Sequence, residues 1–285
     1  MDNSNLLRQT KHLLRLYNFY PKKRLGQNFT VNLDILQQLV SHACLTKNDI
    51  VLEVGAGFGF LTRLLAEKSK KVIAVEVDPS LVAFLKEHLQ SLDNVDLIEG
   101  DILDVSVPRF NKVVSAPPYS ISSPLLFRLL ENKFDSAFLI LQKEFAERLT
   151  ASVGSKNYGR LTVSIYYRAD VELLELVPRT MFYPSPGVDS MILRLKPKNP
   201  PFPVEDEPFF FDLVRIIFTQ RNKKVRNAII PFLREYKIPK TKAIAFADSL
   251  FYSERRVREL APEDFGLMAN EIFQKMKTYF LMYVA

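Results

Sequence analysis

The sequence is poor in the residues that build disulfide frameworks and metal sites. It has one cysteine, Cys44, and three histidines that are spread along a chain of 285 residues without cysteine partners. A single cysteine excludes an internal disulfide, and the chain suits a reducing environment. Scattered histidines argue against a zinc site, so we predict no metal. We expect a cytoplasmic protein.

Long apolar runs are also absent. A membrane-spanning helix needs about 18 or more largely apolar residues, and no such stretch occurs, so we expect no membrane span. The first residues lack the apolar core of a secretory signal. The amphipathic segment LLRQTKHLLRLYNF is interpreted as a surface helix, with a mitochondrial presequence as the alternative.

Positive charge is abundant, and it is concentrated in two segments. The chain has a net charge of +7, of which residues 1–30 carry +5 and residues 213–234 carry +6. The remainder is therefore slightly acidic. Two basic segments on such a body favour a surface that binds a polyanion, and a solvated face is the alternative for each.

Between residues 30 and 195, short apolar runs alternate with segments of helical periodicity. The runs are IVLEV, KVIAVEV, VDLI, KVVSA and AFLIL. This alternation predicts a parallel sheet covered by helices on both faces. We interpret LTVSIYYRADVELLEL and DSMILRL, which follow, as two or three further strands that form an antiparallel edge.

A proline-rich segment divides the chain. KPKNPPFPVEDEP can continue neither a helix nor a central strand. Every longer segment beyond it has helical periodicity. We therefore predict an α/β domain with a basic N-terminal extension over 1–195, a linker over 196–206, and a small helical domain over 207–285.

A glycine-rich turn follows the first long strand. EVGAGFGFLT (53–62) places glycines at 55, 57 and 59, which permit a tight turn and close approach of the backbone to a ligand. The GxGxG spacing differs from the GxGxxG of dinucleotide sites. A purely structural turn is the alternative interpretation.

Acidic residues end the next two strands. Glu76 can accept the hydroxyls of a ribose, although an exposed strand-end acid is the alternative. Asp101 can accept the amino group of an adenine. Both residues and the glycine turn follow strands at the edge where α/β sheets bind ligands. The pattern specifies an adenosine moiety without phosphates, which S-adenosylmethionine fits better than NAD.

Seven segments of the chain, in order, resemble the ribosomal RNA adenine dimethyltransferases, especially the archaeal type. They are KKRLGQNFT, LEVGAGFGFLT, VIAVEVD, EGDIL, PPYSISSPLLF, QKEFAERLTASVGSKNYGRLTV and FYPSPGVDSMILRL. The resemblance covers nearly the whole chain from residue 20. It implies a Rossmann-like methyltransferase sheet with a small helical domain. It also implies methyl transfer from S-adenosylmethionine to two adjacent adenosines near the 3′ end of small-subunit ribosomal RNA.

The resemblance further implies which residues bind the cofactor. Asn28 and Thr30 would lie over its methionine part and Gly55 beneath it, while Glu76 would bind the ribose and Asp101 the adenine. The predicted cofactor-binding residues are Asn28, Thr30, Gly55, Gly57, Glu76, Asp101, Ile102 and Ala116.

The segment VVSAPPYSIS would form the pocket for the target base. Tyr119 would stack on the adenine and Phe182 would close on it, with ordinary packing as the alternative for either ring. Pro118 fixes the turn. The predicted catalytic residues are Ala116, Pro118, Tyr119 and Phe182.

Ala116 stands where the family has asparagine, whose side-chain oxygen would accept a hydrogen of the target amine. We interpret the chain as a methyltransferase impaired at this position, either engineered or naturally slow. The alternative is an RNA-binding ribosome assembly factor on the same fold. Two relatives, the large-subunit RNA methyltransferases and the nucleic-acid-binding mitochondrial transcription factors, fit the motifs less well.

The resemblance and the basic segments together predict an RNA surface. The predicted RNA-binding residues are Lys22, Lys23, Arg24, Arg221, Lys223 and Lys224. The expected partner is small-subunit ribosomal RNA within the pre-ribosomal small subunit, and we expect the protein to act as a monomer.

Overall fold

The computed structural model describes residues 3–283, with side chains described over residues 6–278. The strands are β1 Phe29–Thr30, β2 Ile50–Val54, β3 Lys71–Glu76, β4 Val95–Glu99, β5 Lys112–Ser115, β6 Ser136–Gln142, β7 Ala169–Val177, β8 Phe182–Tyr183 and β9 Ser190–Pro197. The α-helices are α1 Asn3–Leu16, α2 Leu33–His42, α3 Phe60–Lys68, α4 Pro79–His88, α5 Ser122–Leu130, α6 Lys143–Leu149, α7 Arg160–Arg168, α8 Glu207–Ile217, α9 Val225–Ala228, α10 Ile230–Glu235, α11 Lys240–Asp248 and α12 Pro262–Tyr283.

The chain divides into two compact units. The first comprises the chain up to Ala146 together with Val171–Pro197, and the second comprises Glu147–Asp170 together with the chain from Lys198. The predicted boundaries differ in one segment, because residues 147–170 pack with the C-terminal helices and not with the sheet.

A sheet of seven strands forms the centre of the first unit, in the order β4-β3-β2-β5-β6-β9-β7. The strands β2 to β6 pair in parallel, whereas β9 runs antiparallel to β6. Four of these strands, β2, β3, β5 and β6, are almost wholly buried, as their continuous apolar runs require. The predicted parallel sheet with an antiparallel strand near its edge is confirmed.

The prediction of a strand over LTVSIYYR was wrong, because these residues form α7. The Thr162 hydroxyl accepts from the Gly159 amide at 3.2 Å and donates to the Arg148 carbonyl at 2.7 Å, which fixes the start of the helix. Val163 and Tyr167, four residues apart, are buried in the core of the second unit. Helical packing of this face outweighs the β propensity of the valine, isoleucine and tyrosines.

The second unit is helical, as predicted, but the proline-rich segment is not a free linker. The Pro203 carbonyl and the Glu205 amide both bond to the Asn270 side chain of α12, at 3.1 and 2.8 Å. The Phe202 ring lies 5.1 Å from that of Tyr167 and 5.8 Å from that of Phe210. The segment is therefore anchored within the second unit.

The described residues include neither a membrane-spanning helix nor a cluster of metal ligands. Among the helices within residues 3–283, none is both long and apolar enough to cross a membrane. Over the side chains that the structure describes, no group of three or more His, Cys, Asp or Glu is arranged to hold a metal ion.

Candidate active site

A cleft opens at the carboxyl end of the parallel strands of the first unit. Three segments that are distant in sequence line this cleft. They are residues 25–30, the glycine turn 55–58 after β2, and the loop 116–119 after β5, and Glu53, Glu76 and Phe182 complete the lining.

The glycine turn lies so close to two other parts of the cleft wall that a Cβ atom there would have to displace its neighbours slightly. Gly55 and Gly57 adopt left-handed φ angles of 79° and 57°. A Cβ on Gly55 would lie 3.2 Å from the Pro118 ring, and one on Gly57 would lie 3.3 Å from the Phe29 ring. The left-handed conformation therefore favours glycine at both positions, and the close neighbours add to this preference.

Glu76 ends β3 and is held by main-chain donors. Its carboxylate accepts from the amides of Gly57 at 2.9 Å and of Val77 and Asp78 at 3.0 Å each. Burial raises the pKa of Glu76, partly opposed by these hydrogen bonds. A carboxylate offers about four acceptor positions, so capacity remains for a ribose hydroxyl.

Glu53, which the sequence analysis did not single out, is a second acid in the cleft wall. It is 1% exposed, and its Oε2 atom has no hydrogen-bond partner among the described residues. Burial raises its pKa to about 8; the Thr62 hydroxyl opposes this shift and the charge of nearby Glu76 adds to it. An acid inside the apolar run IVLEV was the sequence signal that could have identified it.

Residues 22–31, here called the cover segment, include the cleft-lining residues 25–30, and Phe29 lies against Gly57 of the glycine turn. β1 pairs with β8, so that Phe29 faces Tyr183 and Thr30 faces Phe182 in register. Asn28 donates to the Gly26 carbonyl at 3.2 Å, and the buried Thr30 hydroxyl has no partner among the described residues. Asn28 and Thr30 thus line the cleft, and their contact with the cofactor stays a prediction.

The predicted adenine contacts lie outside the cleft lining. Asp101 follows β4, whose Glu99 is the register partner of Glu76, and it accepts the Leu103 amide at 3.0 Å. Ile102 is buried. The fold brings Asp101 and Ile102 to the same edge of the sheet as Glu76, and their contact with the cofactor stays a prediction.

The predicted target pocket assembles around two rings. Tyr119 and Phe182 meet edge to face with centroids 6.3 Å apart. The Tyr119 hydroxyl lies 2.6 Å from the Ser190 hydroxyl, and burial raises the pKa of Tyr119 to about 12, so the ring stays neutral. Pro118 links this pocket to the glycine turn through its contact with Gly55.

Ala116 lies in the cleft wall between the glycine turn and Tyr119, and it offers no side-chain acceptor. Its neighbour Ser115 cannot substitute, because it is wholly buried and bonds to β2. The Ser115 hydroxyl donates to the Val54 carbonyl at 2.7 Å and accepts from the Val54 amide at 3.3 Å.

The predicted RNA-binding residues of the first unit divide into two kinds. Lys23 and Arg24 are exposed. Lys22, in contrast, forms an ion pair of 2.8 Å with the buried Asp78. Its charge is engaged within the protein.

A similar division holds in the second unit. Arg221 donates to the carbonyls of Ser155 at 2.7 Å and Lys156 at 2.8 Å, and Lys224 pairs with Glu254 at 2.6 Å. Lys223 is exposed. The basic segment 213–234 contains no acidic residue, but acids from elsewhere in the second unit therefore offset part of its positive charge.

The cleft has the features that S-adenosylmethionine requires. The glycine turn lets the backbone approach the cofactor, and Glu76 keeps acceptor capacity. Glu53 and Thr30 present buried polar atoms that have no partner within the part of the chain that the structure describes. A seven-stranded sheet with this cleft at the carboxyl ends of its parallel strands defines a Rossmann-like, S-adenosylmethionine-dependent methyltransferase.

Comparison with known proteins identifies the family. Residues 18–273 match the family model of the ribosomal RNA adenine dimethylases, and the chain belongs to this family. It is 43% identical to the probable ribosomal RNA small subunit methyltransferase A of Methanosarcina acetivorans, over 87% of this chain and 92% of that protein. The protein of the same name from Methanosarcina barkeri is 42% identical over 95% of this chain and 94% of its own length.

Solved structures agree with this assignment. A dimethyladenosine transferase from Plasmodium falciparum superposes with a TM-score of 0.72 and 32% identity, over 86% of this chain and 96% of that one. The 23S rRNA methyltransferase ErmE gives a TM-score of 0.64 and 30% identity, over 86% of this chain and 98% of that one. The resemblance inferred from the sequence is confirmed, including its archaeal character.

Proposed function

We propose that this protein transfers methyl groups from S-adenosylmethionine to the exocyclic amines of two adjacent adenosines near the 3′ end of small-subunit ribosomal RNA. The observation that carries the proposal is the cleft in which the glycine turn, Glu76 and the pair Tyr119 and Phe182 meet. A cofactor wall and an aromatic pocket for a base share this one cavity.

The chain's own residues bind and orient the reactants. Bound S-adenosylmethionine supplies a methyl group activated on its sulfonium. Glu76 accepts the ribose hydroxyls, while Asn28 and Thr30 cover the methionine part. Asp101 and Ile102 receive the adenine, and Gly55 and Gly57 let the backbone approach.

Tyr119 and Phe182 hold the target base once it has turned out of the RNA. Stacking of this kind contributes about 1–3 kcal/mol per base, and extrusion of the base is the general solution for enzymes that modify bases. The Pro117 carbonyl, which no side-chain change removes, accepts one hydrogen of the target amine. Loss of the second acceptor at Ala116 slows the reaction.

Relatives of about 40% identity carry the small-subunit name, whereas the similar large-subunit enzyme is 30% identical. This difference favours the small subunit as substrate. The direct test offers unmethylated small subunits and large-subunit RNA in parallel with labelled S-adenosylmethionine. Label in adenines of the small subunit supports the proposal, and label in the large-subunit RNA alone contradicts it.

Ala116 favours a second candidate function, that of an RNA-binding ribosome assembly factor with little or no catalysis. This function predicts that the intact protein binds both S-adenosylmethionine and RNA. It also predicts that no labelled methyl group enters the RNA, even in single-turnover reactions with excess enzyme.

We propose that exposed basic residues beside the cleft bind phosphates. Lys23 and Arg24 belong to the cover segment, and Lys11 of α1 lies 5.1 Å from the centroid of the Tyr183 ring, next to Phe182. Basic side chains thus adjoin the pocket from two elements. On the second unit we assign this role to Lys223.

Salt dependence tests this RNA surface. Replacing both Lys23 and Arg24 by methionine should weaken binding of any RNA and lower the slope of log K against log salt by about 2, because each phosphate contact contributes about 1. Lys47→Met, another lysine of the first unit, whose ammonium binds the carbonyls of Glu67 and Ser69, is the control. An unchanged slope in the double variant would mean that these side chains are only solvated.

A further inference from the structure

Asp78 lies at the centre of a hydrogen-bonded network that joins the cover segment to the cofactor wall. Its side chain is fully buried. One carboxylate oxygen, Oδ1, accepts from the Lys22 ammonium at 2.8 Å and from the Ser80 amide at 3.2 Å, at the start of α4. The other, Oδ2, accepts from the Gln27 side-chain amide at 2.8 Å.

Lys22 and Gln27 are also bonded to each other. The Lys22 main-chain amide donates to the Gln27 side-chain oxygen at 2.7 Å, which closes a ring through Asp78. Between them Gly26 has a left-handed φ of 63°. A Cβ on Gly26 would lie 3.1 Å from the Ser120 hydroxyl and 3.4 Å from the Pro118 Cβ atom. The residue between the two ring members thus lies directly against the loop that carries the predicted target pocket.

The same turn holds the ribose-binding acid. Asp78 follows Glu76 by two residues, and its amide donates to the Glu76 carboxylate at 3.0 Å. One short turn after β3 therefore anchors both the acid that would bind the ribose and the segment that would cover the methionine.

We propose that Lys22, Gln27 and Asp78 form a clamp that positions the cover segment over the cofactor and against the target loop. They are positioning residues, and Lys22 acts here and not on RNA. This inference rests on the cofactor cleft proposed above.

The electrostatics of the clamp support an ionised Asp78. Burial by itself would raise the pKa of this carboxyl. Hydrogen bonds from Lys22, Gln27 and the Ser80 amide, with the charge of Lys22, outweigh burial and lower it. A buried carboxylate of this kind depends on its partners, because removing one of them leaves a charge without compensation.

The neighbouring lysine provides a matched control. Lys22→Met and Gln27→Leu should each raise the dissociation rate of labelled S-adenosylmethionine by about tenfold or more, the factor that loss of one charge-assisted hydrogen bond typically produces. Lys23→Met, which removes an exposed charge one residue away, should leave this rate unchanged. Combining Lys22→Met with Asp78→Asn should add little to the larger single effect, since both break the same contact.

A second readout is independent of the cofactor. Amide hydrogen exchange of residues 22–31 in the free protein should accelerate in Lys22→Met and not in Lys23→Met, while exchange in β2 and β3 stays the same. If the wild-type protein does not bind S-adenosylmethionine, the proposed function fails, and this measurement still decides whether the clamp exists.

A different outcome for Lys22→Met would contradict the clamp. Lys22→Met would leave both cofactor dissociation and exchange of the cover segment at wild-type values, while it weakens RNA binding and flattens the salt dependence as Lys23→Met does. That outcome would overturn the clamp and return Lys22 to the RNA surface.

Discussion

Ala116 lines the cleft and offers no side-chain acceptor, and two polar side chains near it in sequence are bonded elsewhere. Ser115 is bonded to Val54 of β2, and the Tyr119 hydroxyl is bonded to Ser190. Both polar groups are therefore directed to other partners. A preorganised acceptor at this position would act on the transition state, in which positive charge develops on the amine, more than on ground-state binding.

Restoring the acceptor should restore the rate. We expect Ala116→Asn to raise the single-turnover rate of methyl transfer by about 10²–10³, the effect of one preorganised hydrogen bond at a reacting group. Cofactor affinity should change only modestly. The measurement is single-turnover incorporation of labelled methyl into unmethylated small subunits.

A leucine at position 116 is the control that distinguishes the effect of the asparagine amide from the effect of side-chain size. Ala116→Leu has a side chain of similar size to asparagine and no polar atom, and it should give no gain. If Ala116→Asn also stays at background while it binds cofactor and RNA, the missing acceptor is not the defect, and the assembly-factor function is favoured.

Glu76 is bonded to three main-chain amides, so its replacement must keep the shape of the side chain. We expect Glu76→Gln to weaken S-adenosylmethionine binding by about 10–100-fold, since a hydrogen bond to a charged group contributes about 1.5–3 kcal/mol. Calorimetric titration measures this. Glu99→Gln, the register partner on β4, removes an equal charge outside the cleft and should bind normally. Equal affinity of both variants would rule out the ribose assignment.

At the scale of elements, α7 shows how packing overrides local preference. Its residues favour strands by composition, yet Val163 and Tyr167 are buried on one side of a helix. The Tyr167 ring lies 5.0 Å from that of Phe210 in α8. The helix therefore depends on an element that begins about 40 residues later in the chain.

Truncation tests this dependence. A chain that ends at Pro197 keeps the whole sheet but loses α8 to α12. We expect the amides of residues 160–168 to lose their protection from hydrogen exchange in this shortened chain, because the apolar face of α7 has no partner. The strands β2 to β6 of the same sample are the internal control. Continued protection of α7 would show that it is stable without the C-terminal helices.

At the scale of the whole molecule, burial of Glu53 links folding to pH. Its pKa rises from an ordinary 4.5 to about 8 in the folded protein. Between these values the folded state holds a proton that the unfolded state has released, so the free energy of unfolding falls as pH rises. The contribution is complete below pH 4.5 and is lost through pH 8.

The neutral isostere should remove this dependence. In the cofactor-free protein, Glu53→Gln should flatten the decline in the free energy of unfolding between about pH 5 and 8, measured by urea denaturation at several pH values. Part of the slope should remain, because the pKa of Glu76 is raised as well. Glu67→Gln on the exposed side of α3 should follow the wild type. If the Glu53→Gln profile also follows the wild type, then folding does not raise the pKa of Glu53, and its carboxyl is ionised in the folded protein over this pH range.

The sequence by itself determined the architecture and the family. Apolar runs such as KVIAVEV and the helical segments between them predicted the parallel sheet. Both patterns could be recognised because each is visible in the spacing of apolar residues over a short stretch of sequence. The glycine turn, Glu76 and the Pro-Pro-Tyr turn could be placed because each follows a strand in the chain. The position of Ala116 in the pocket was predictable for the same reason.

Only the tertiary structure decided which charges are free and which polar groups are buried. Lys22 meets Asp78 across 56 residues, and Lys224 meets Glu254 across 30, so the charge of a segment did not reveal its partners. Glu53 acquires its raised pKa from the helices and loops that cover β2. Such properties depend on distance in space and on exclusion of water, which folding sets and no local pattern of residues contains.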